Sequence, residues 1–360
     1  MSDDKPDGTG KPTLCIINFN GMSVLPMCLS AACAVADRFS HILVMDNGSV
    51  DGSAEMAERD FPQAKVVRLG ANLGAGGARN AGLRHSPTDL ILFIDNDVAL
   101  TAECVDQLQA AMRSQPHAAL AASAVIYAHQ RDTVQYDGAE CHFLGMQKLL
   151  DEDVPVAVLD PTVRSVGSIV TCCFIADRSR LPAGEGFDES FFYMFEDHDF
   201  GVRVRLLGGR ILSVPLAQCF HGKGTEGLSI RQLGEYSTKR VYYIIRNRWL
   251  VILKNYSLRT LLCLAPLLAF YDAALFVVAV KKGWTREWLR SAGWMAKNLP
   301  AVLKERRRIQ RARRVPDREI LVGGPIPFRA ELTTSKVERV ARRWLDAIAS
   351  SYWKLASPLI

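Results

Sequence analysis

The chain has 360 residues, of which 49% are hydrophobic and 23% are charged, and its formal net charge is +6 at pH 7. This length and composition suffice for a large α/β domain with an appendage, and they exclude a chain that is disordered throughout. The nine cysteines form no Cys-x-x-Cys pair and are odd in number, which favours buried, reduced thiols in a cytosolic protein over a disulfide framework or a zinc site.

The first half of the chain alternates short apolar strands with helical segments. Residues 1–12 are predicted to be a disordered lead-in. They have neither the apolar core nor the cleavage site of a signal peptide, so they are not expected to be one. The predicted strands are Thr13–Phe19, His41–Asp46, Ala64–Leu69 and Leu90–Asp95, and the predicted helices are Ser23–Asp37, Gly52–Arg59, Gly77–His85 and Thr101–Ser114. This pattern predicts an α/β fold with a mostly parallel central sheet covered on both faces. Ligands of such sheets bind beyond the carboxyl ends of the strands.

The later elements are predicted less regularly. We expect strands over Val166–Ala176 and Arg210–Phe220, and a helix at the end of Phe191–Leu207. Segments around Gln135–Asp151 and Ser165–Cys173 are expected to be loops that shape the substrate pocket.

After residue 230 the chain becomes helical, basic and apolar. Thr260–Val280 is long enough to cross a bilayer, although Pro266 and Asp272 interrupt it. A membrane span, a helix lying in the interface and a buried helical hairpin are all open for this segment. We favour membrane contact.

Positive charge is concentrated in one segment near the C-terminus. Residues 281–318 contain thirteen Lys and Arg against three acidic residues. Beside apolar runs and without a nucleic-acid recognition motif, this charge favours an anionic membrane surface over nucleic acid. An amphipathic helix follows, with Val337, Trp344, Ile348 and Tyr352 at helical spacing.

The main chemical motif is Asp95-Asn96-Asp97, at the end of an apolar strand. Two carboxylates one residue apart can bind a divalent cation, which would neutralise a pyrophosphate leaving group. A simple Asp/Asn turn is the structural alternative. The turn Asp46–Gly52 and the glycine-rich segment Asn72–Asn80 lie after earlier strands, and the latter does not match Gly-x-Gly-x-x-Gly because Arg79 stands at the third glycine position.

Together these motifs resemble the family 2 glycosyltransferases, which have the GT-A fold. The segments that carry the resemblance are Ile16–Asn20, Asp46–Ser53, Asn72–Asn80, Asp95–Asp97, Gly186–Arg203 and His221. The stretch Arg246-Asn247-Arg248, followed by an apolar and then a basic segment, is similar to the rhamnosyltransferase branch. The Gln-x-x-Arg-Trp motif of processive synthases does not occur here, which favours addition of a single sugar.

The resemblance implies an inverting mechanism with one general base and a divalent metal, Mn²⁺ or Mg²⁺. The base matches the pair Glu196-Asp197, with Asp197 as the preferred candidate, whereas Asp199 is expected to be structural. The implied metal ligands are Asp97 and His221, the latter on a glycine-rich mobile loop.

The resemblance also implies the donor-binding residues. Phe19 and Asp46 are expected to contact the base, Arg79 the nucleotide and Asp95 the ribose. Lys223 is a further candidate for contact with the phosphates.

The predicted organisation is therefore a GT-A catalytic domain over residues 13–230 and a membrane-associating region over residues 231–360. The expected partners are a dTDP- or UDP-sugar and a lipid-linked saccharide acceptor, at the cytoplasmic face of the membrane, for cell-wall or other surface polysaccharide. A catalytically silent nucleotide-sugar-binding protein is the alternative. A nucleotidyltransferase is disfavoured because Asn18–Met22 is not a basic, glycine-rich loop.

Overall fold

The computed structural model describes residues 10–222, 237–327 and 336–360. The first half alternates strands and helices as predicted, and the four predicted strands are confirmed with ends shifted by at most one residue. The elements are β1 (Thr13–Asn18), α1 (Leu25–Ala34), β2 (His41–Asp46), α2 (Ser53–Asp60), β3 (Ala64–Arg68), α3 (Gly74–His85) and β4 (Leu90–Asp95).

The middle of the chain extends the sheet and differs from the prediction in three places. Its elements are β5 (Val98–Ala99), α4 (Ala102–Ser114), β6 (Ala118–Tyr127), β7 (Gln130–Tyr136), β8 (Ala139–His142), β9 (Met146–Leu149), β10 (Arg164–Ser165), β11 (Cys173–Asp177), α5 (Glu196–Leu206) and β12 (Arg210–His221). The prediction missed the ten-residue strand β6. Residues 135–151, expected to be a loop, contain β8 and β9.

The predicted strand Val166–Ala176 is wrong over its first part. Only Cys173–Asp177 belongs to the main sheet. The preceding residues turn to the small sheet instead, where Ser168 forms a bridge with Ala139. This segment is held there by its backbone partner, so its apolar residues do not continue the main strand.

The main sheet has the order β3-β2-β1-β4-β11-β6-β12-β10. From β3 to β12 in this order the strands run parallel except β11, which is antiparallel to both β4 and β6. The short β10 is antiparallel to β12, and β7, which pairs with β6 outside this order, is antiparallel to β6. The predicted mostly parallel sheet is therefore confirmed. A second sheet of three strands contains β8, β9 and β13 (Leu321–Val322).

Helices cover both faces of the main sheet, as the continuous apolar strands predict. Leu14 and Ile16 of β1 point into the core cluster that contains α1, α2 and α4. Cys15 and Ile17 of the same strand point into the opposite cluster, with residues of α3 and α5. Because alternate side chains of a strand face opposite sides, a strand buried on both faces must be apolar at every position.

The C-terminal region is helical, as predicted, with α6 (Thr238–Asn255), α7 (Leu258–Lys281), α8 (Thr285–Ala312) and α9 (Lys336–Ala356). Pro266 and Asp272 do not interrupt the apolar segment, because α7 runs as one helix of 24 residues through both. The predicted domain boundary at residue 230 and residues 1–9 of the predicted 1–12 lead-in lie outside the described residues.

Buried ion pairs join α5 to α6. Asp199 of α5 accepts hydrogen bonds from Arg203 Nε at 2.7 Å and from Lys254 Nζ of α6 at 3.1 Å. Asn255 Nδ2 donates a third hydrogen bond to Asp199, at 2.9 Å. Asp199 is therefore a structural residue, as expected from the sequence.

Candidate active site

The parallel strands bring their carboxyl ends to one edge of the sheet. Asn18, the last residue of β1, lies in register opposite Asp46, the last residue of β2. On the other side of β1, β4 ends at Asp95, and β12 ends at His221 next to β5. Residues far apart in sequence therefore meet where α/β sheets bind their ligands.

A hydrogen-bond network around Asn18 ties these strand ends together. Its amide donates to Asp46 Oδ1 at 3.1 Å and to Ser53 Oγ at 3.0 Å, and its carbonyl accepts from Asn96 Nδ2 at 2.9 Å. The chain turns sharply at Gly21, where a Cβ atom would lie 2.3 Å from Asn18 Oδ1. Asn96, the middle residue of the Asp-Asn-Asp motif, thus has a structural partner in β1.

The residues predicted to contact the base lie at this edge. Asp46 is buried, and its second carboxylate oxygen accepts a hydrogen bond from the Ser49 amide at 3.2 Å. Phe19 directly follows β1 and is half-buried. The backbone turns after it at Asn20, whose φ of 48° lies in the left-handed region that Asn tolerates.

The two predicted metal ligands are in contact. Asp97 Oδ1 lies 3.2 Å from His221 Nε2, and both side chains are largely buried. His221 Nδ1 lies 3.0 Å from Gln135 Oε1, which orients the ring. Burial lowers the pKa of His221, but its contacts with Cys172 and Asp97 outweigh this and raise the pKa to about 10. Lys223 and the rest of the glycine-rich loop lie outside the described residues.

Further donor atoms surround this pair. Ligand atoms of Asp95, Cys172 and His221 lie within 4.8 Å of one another. Carboxylate oxygens together with one imidazole nitrogen form a donor set that suits Mn²⁺ or Mg²⁺. The residues here could hold a divalent cation: Asp97 and His221 are the predicted ligands, and Asp95 and Cys172 offer further donor atoms beside them.

Arg79 connects two parts of the site. Its Nη2 donates to Asp95 Oδ1 at 2.6 Å and to the Thr171 carbonyl at 3.0 Å, and its Nη1 lies 3.8 Å from Glu196 Oε1. The side chain is 3% exposed. Arg79 Nε and Glu196 Oε2 are buried without a hydrogen-bond partner among the described residues. The Arg79 guanidinium therefore faces the carboxylates of Asp95 and Glu196, and its hydrogen bond fixes the position of Asp95.

Glu196 and Asp197 begin helix α5, close to Arg79 and Asp95. Burial raises the pKa of Asp197, and burial together with the neighbouring Asp197 charge raises the pKa of Glu196. The Asp197 carboxylate accepts a hydrogen bond from the His198 amide at 2.7 Å. A carboxylate whose pKa is raised towards neutrality is a stronger proton acceptor, which suits a general base.

The segment before this pair is strained. Phe192, Met194 and Phe195 all have positive φ angles, between 60° and 66°. Non-glycine residues rarely adopt this region, and each costs of order 1–3 kcal/mol unless its surroundings hold it there. Helix α5, and with it Asp197, therefore starts from a backbone that must be held in place.

Two consecutive residues of α6 hold this segment. The Asn247 amide donates to the carbonyls of Tyr193 at 2.8 Å and Met194 at 2.7 Å. Arg246 Nη2 donates to the carbonyls of Ser190 and Phe191, both at 2.7 Å. Arg246 and Asn247 of the Arg-Asn-Arg stretch therefore clamp the loop that leads to Asp197, a role that was not predicted from the sequence, whereas Arg248 bonds to Leu144 and Asp272.

We expect Asn247→Ala to lower kcat about 10- to 100-fold while the KM for the donor stays within about threefold, because a small displacement of a catalytic group has effects of this size. Steady-state kinetics on the full chain measure both constants. Asn298→Ala is the matched control, since the Asn298 amide donates to Trp294 within its own helix. A rise in KM with unchanged kcat would contradict the clamp.

Sequence reasoning also missed Cys172 and Gln135. Both reach the site from segments that carry no recognisable motif, Cys172 from the turn before β11 and Gln135 from β7. Only the strand pairing of β6 with β7 and of β4 with β11 brings them beside His221 and Asp95.

Residues 13–166 match the family model described as glycosyl transferase family 2. The chain carries a family 2 glycosyltransferase domain. The match includes β1 to β10 and the Asp-Asn-Asp motif, but ends before Asp197 and His221. The glycosyltransferase domain thus accounts for the strand-end part of the site, and α5 and β12 complete it.

Two curated relatives are also transferases. The chain is 28% identical over 218 residues to the N-acetylglucosaminyl-diphospho-decaprenol L-rhamnosyltransferase of Mycobacterium tuberculosis (strain H37Rv), covering 54% of this chain and 70% of the relative. It is 36% identical over 107 residues to the undecaprenyl-phosphate 4-deoxy-4-formamido-L-arabinose transferase of Klebsiella pneumoniae (strain MGH 78578), covering 28% of this chain and 33% of the relative. The first of these likenesses agrees with a rhamnosyltransferase-like branch of the family.

Solved structures share the fold. TarS of S. aureus aligns with a TM-score of 0.52 at 17% identity, covering 94% of this chain and 55% of that one. GalNAc-T7, solved with UDP, GalNAc and Mn²⁺, aligns with a TM-score of 0.53 at 14% identity, covering 67% and 47%. The chain spans about half the length of these two solved chains. The predicted GT-A fold is confirmed.

Proposed function

We propose that the chain is an inverting glycosyltransferase that moves a single sugar, with rhamnose as the candidate, from a dTDP- or UDP-sugar to a lipid-linked saccharide. The observation that carries the proposal is that two groups of carboxylates lie in one site. Asp97 contacts His221, and Arg79 contacts both Asp95 beside this pair and Glu196, which precedes Asp197. The names of the two curated relatives, which both contain a polyprenyl carrier, support the choice of acceptor.

In the proposed reaction Asp197 accepts the proton of the acceptor hydroxyl. The hydroxyl oxygen forms a bond to the anomeric carbon as the bond from that carbon to the phosphate oxygen breaks, and the nucleoside diphosphate leaves with the electron pair. A single displacement of this kind inverts the anomeric configuration. A divalent cation held by Asp97 and His221 would supply positive charge for the diphosphate.

The remaining site residues are proposed to bind the donor. Phe19 and Asp46 are proposed to contact the base by stacking and hydrogen bonding, and Asp95 is proposed to contact the ribose. Arg79 positions Asp95 and adds positive charge beside the nucleotide. In the proposed organisation, residues 13–230 form the catalytic domain, and residues 231–360 bring it to the cytoplasmic face of the membrane.

The first test is thermal-shift binding of UDP- and dTDP-sugars, with and without Mn²⁺. We expect one nucleotide class to raise the melting temperature only in the presence of Mn²⁺, and Asp97→Ala to abolish this increase. Asp106→Ala, which removes an exposed carboxylate of α4, is the control. Asp97→Ala is expected to abolish the increase because Asp97 is proposed to bind the cation.

Two outcomes would count against the proposal. Failure of every nucleotide to stabilise a folded wild-type chain would exclude the donor site. In the second outcome, the chain binds a nucleotide sugar in a metal-dependent way and neither transfers the sugar to polyprenyl-linked saccharides nor hydrolyses the donor. That result would favour the catalytically silent nucleotide-sugar-binding protein.

A further inference from the structure

Helix α7 has one buried face and one exposed apolar face. Thr260, Leu264, Leu267 and Tyr271 recur at helical spacing and are at most 3% exposed. The opposite face contains Leu262, Ala265, Pro266, Ala269, Phe270, Ala273, Val277 and Val280, all of which are exposed. Asp272, the one acidic residue between 260 and 280, accepts hydrogen bonds from Arg248 and Trp249. The outward stripe is therefore uncharged over about five turns.

The same helix is long and apolar enough to cross a membrane, with 22% of its most apolar window buried. Its neighbours argue against crossing. Arg248 Nη1 of α6 donates to Asp272 at 2.6 Å, and the Phe276 ring lies 4.9 Å from the Trp288 ring of α8.

Helices α6 and α8 are anchored in the catalytic part of the chain. Asn247 of α6 holds the loop before Asp197, and Arg306 of α8 donates to the Leu253 carbonyl of α6 at 2.7 Å. Both helices are rich in charged residues. A bilayer that surrounded α7 would also have to surround α6 and α8, at the high cost of burying their charges in lipid. The packing therefore argues against a position of α7 across a bilayer.

Helix α9 extends the exposed face of α7. Tyr352 Oη donates to the Cys263 carbonyl of α7 at 2.7 Å, and Leu264, Ala349 and Ala356 share one core cluster. On its outer side α9 exposes Val340, Trp344, Ile348 and Leu355, which recur at helical spacing. Trp344 is 67% exposed, and an indole ring is suited to the boundary between lipid headgroups and acyl chains.

Basic residues border these apolar faces. Arg259 lies at the start of α7, Lys281 and Lys282 lie at its end, and Arg343 and Lys354 lie on α9, all of them exposed. Cationic side chains around an exposed apolar stripe are complementary to a leaflet with anionic headgroups. A protein partner of the same extent would need an acidic rim, whereas an anionic bilayer presents both properties over any area.

We propose that α7 and α9 form a docking face that lies in the plane of an anionic phospholipid leaflet without crossing it. This inference deepens the proposed function and rests on it for the nature of the acceptor. Arg246 and Asn247 hold the loop before Asp197, and the next two residues, Arg248 and Trp249, bond to α7. The leaflet would therefore lie about one helix diameter, roughly 10 Å, from that loop.

The test is co-sedimentation of the purified full chain with phosphatidylcholine vesicles, with and without phosphatidylglycerol. We expect binding to the anionic vesicles, release by alkaline carbonate, and at least about tenfold weaker partitioning of the double variant Phe270→Asp/Val277→Asp. Val158→Asp is the matched control, since Val158 is an exposed valine of the catalytic part. Trp344→Ser tests α9 independently and is expected to weaken partitioning as well.

Several results would overturn the inference. Resistance to carbonate extraction would show that α7 crosses the bilayer. Equal binding to neutral vesicles would show that the basic residues around the apolar faces do not contribute to binding. Conversion of a dimer to a monomer by Phe270→Asp/Val277→Asp, with vesicle binding unchanged, would assign the face to a second copy of the chain. The thermal shift caused by nucleotide sugars is measured on the same variants. A variant that loses vesicle binding but is still stabilised by the nucleotide sugar would leave the proposed donor site unaffected.

Discussion

Asp197→Asn is expected to lower kcat about 10³-fold, within the 10²- to 10⁴-fold range of general-base catalysis, and to leave Mn²⁺-dependent donor binding unchanged. The amide has the size of the carboxylate but cannot accept the proton of the acceptor hydroxyl. Turnover of a nucleotide sugar with a polyprenyl-linked acceptor measures the first quantity, and thermal shift measures the second.

The pH dependence of the wild type tests the same assignment. Because burial raises the pKa of Asp197, the acidic limb of kcat is expected well above pH ~4, the usual range of an aspartate. Only the ionised carboxylate accepts the proton, so activity falls as the pH decreases through the raised pKa. The limb should disappear from the residual activity of Asp197→Asn.

Asp106→Asn is the control for this variant, since Asp106 is an exposed carboxylate outside the site. If Asp197→Asn retained wild-type kcat, the assignment of the base would be wrong, and Glu196 would be the next residue to change. A loss of donor binding in Asp197→Asn would instead assign the residue to the donor pocket.

Asp199→Ala is expected to reduce the free energy of unfolding by about 3–5 kcal/mol, the range for breaking a buried ion pair by removing one partner. The variant leaves Arg203 and Lys254 charged and buried, each at most 3% exposed, with one fewer carboxylate. Urea unfolding at pH 7 measures the change. Asp199→Asn, which keeps the shape and part of the hydrogen bonding, provides a milder variant that can still be purified if Asp199→Ala does not fold.

The effect should depend on pH. Burial raises the pKa of Asp199, but Lys254 and Arg203 outweigh it and the pKa ends below its ordinary value. A lowered pKa means that this stabilisation is complete above the pKa of the unfolded chain and is lost as the pH falls through the folded-state pKa. The difference between wild type and Asp199→Asn should therefore shrink in acid. Equal stability of Asp199→Ala and the Asp106→Ala control at pH 7 would refute the structural assignment.

The strands of the first half could be predicted because their local sequence carries the whole signal. Strands β1, β2 and β4 are buried on both faces, so after Thr13 and His41 at the starts of β1 and β2 their positions are apolar until the chain reaches Asn18, Asp46 or Asp95. A change from apolar to polar residues at the end of such a strand locates both the strand and the edge where ligands bind.

Strand β6 could not be predicted from its local sequence in this way. Five of its ten residues are alanine, which has a low intrinsic preference for strands. It becomes a strand because it pairs with β11 on one side and β12 on the other. Residues with small side chains also suit a strand that is buried between layers.

The sequence by itself determined the fold class, the strand-end motifs and the helical, basic C-terminal region, because each depends on residues that are neighbours in the chain. Tertiary structure alone decided that Asn247 holds the loop before Asp197, that Cys172 and Gln135 reach the site, and that Arg248 and Trp249 of α6 cover Asp272 of α7. These features depend on contacts between residues 50 or more positions apart or on which face of a helix is covered. An apolar run has the same composition whether lipid or protein covers it, so only its packing partners distinguish the two.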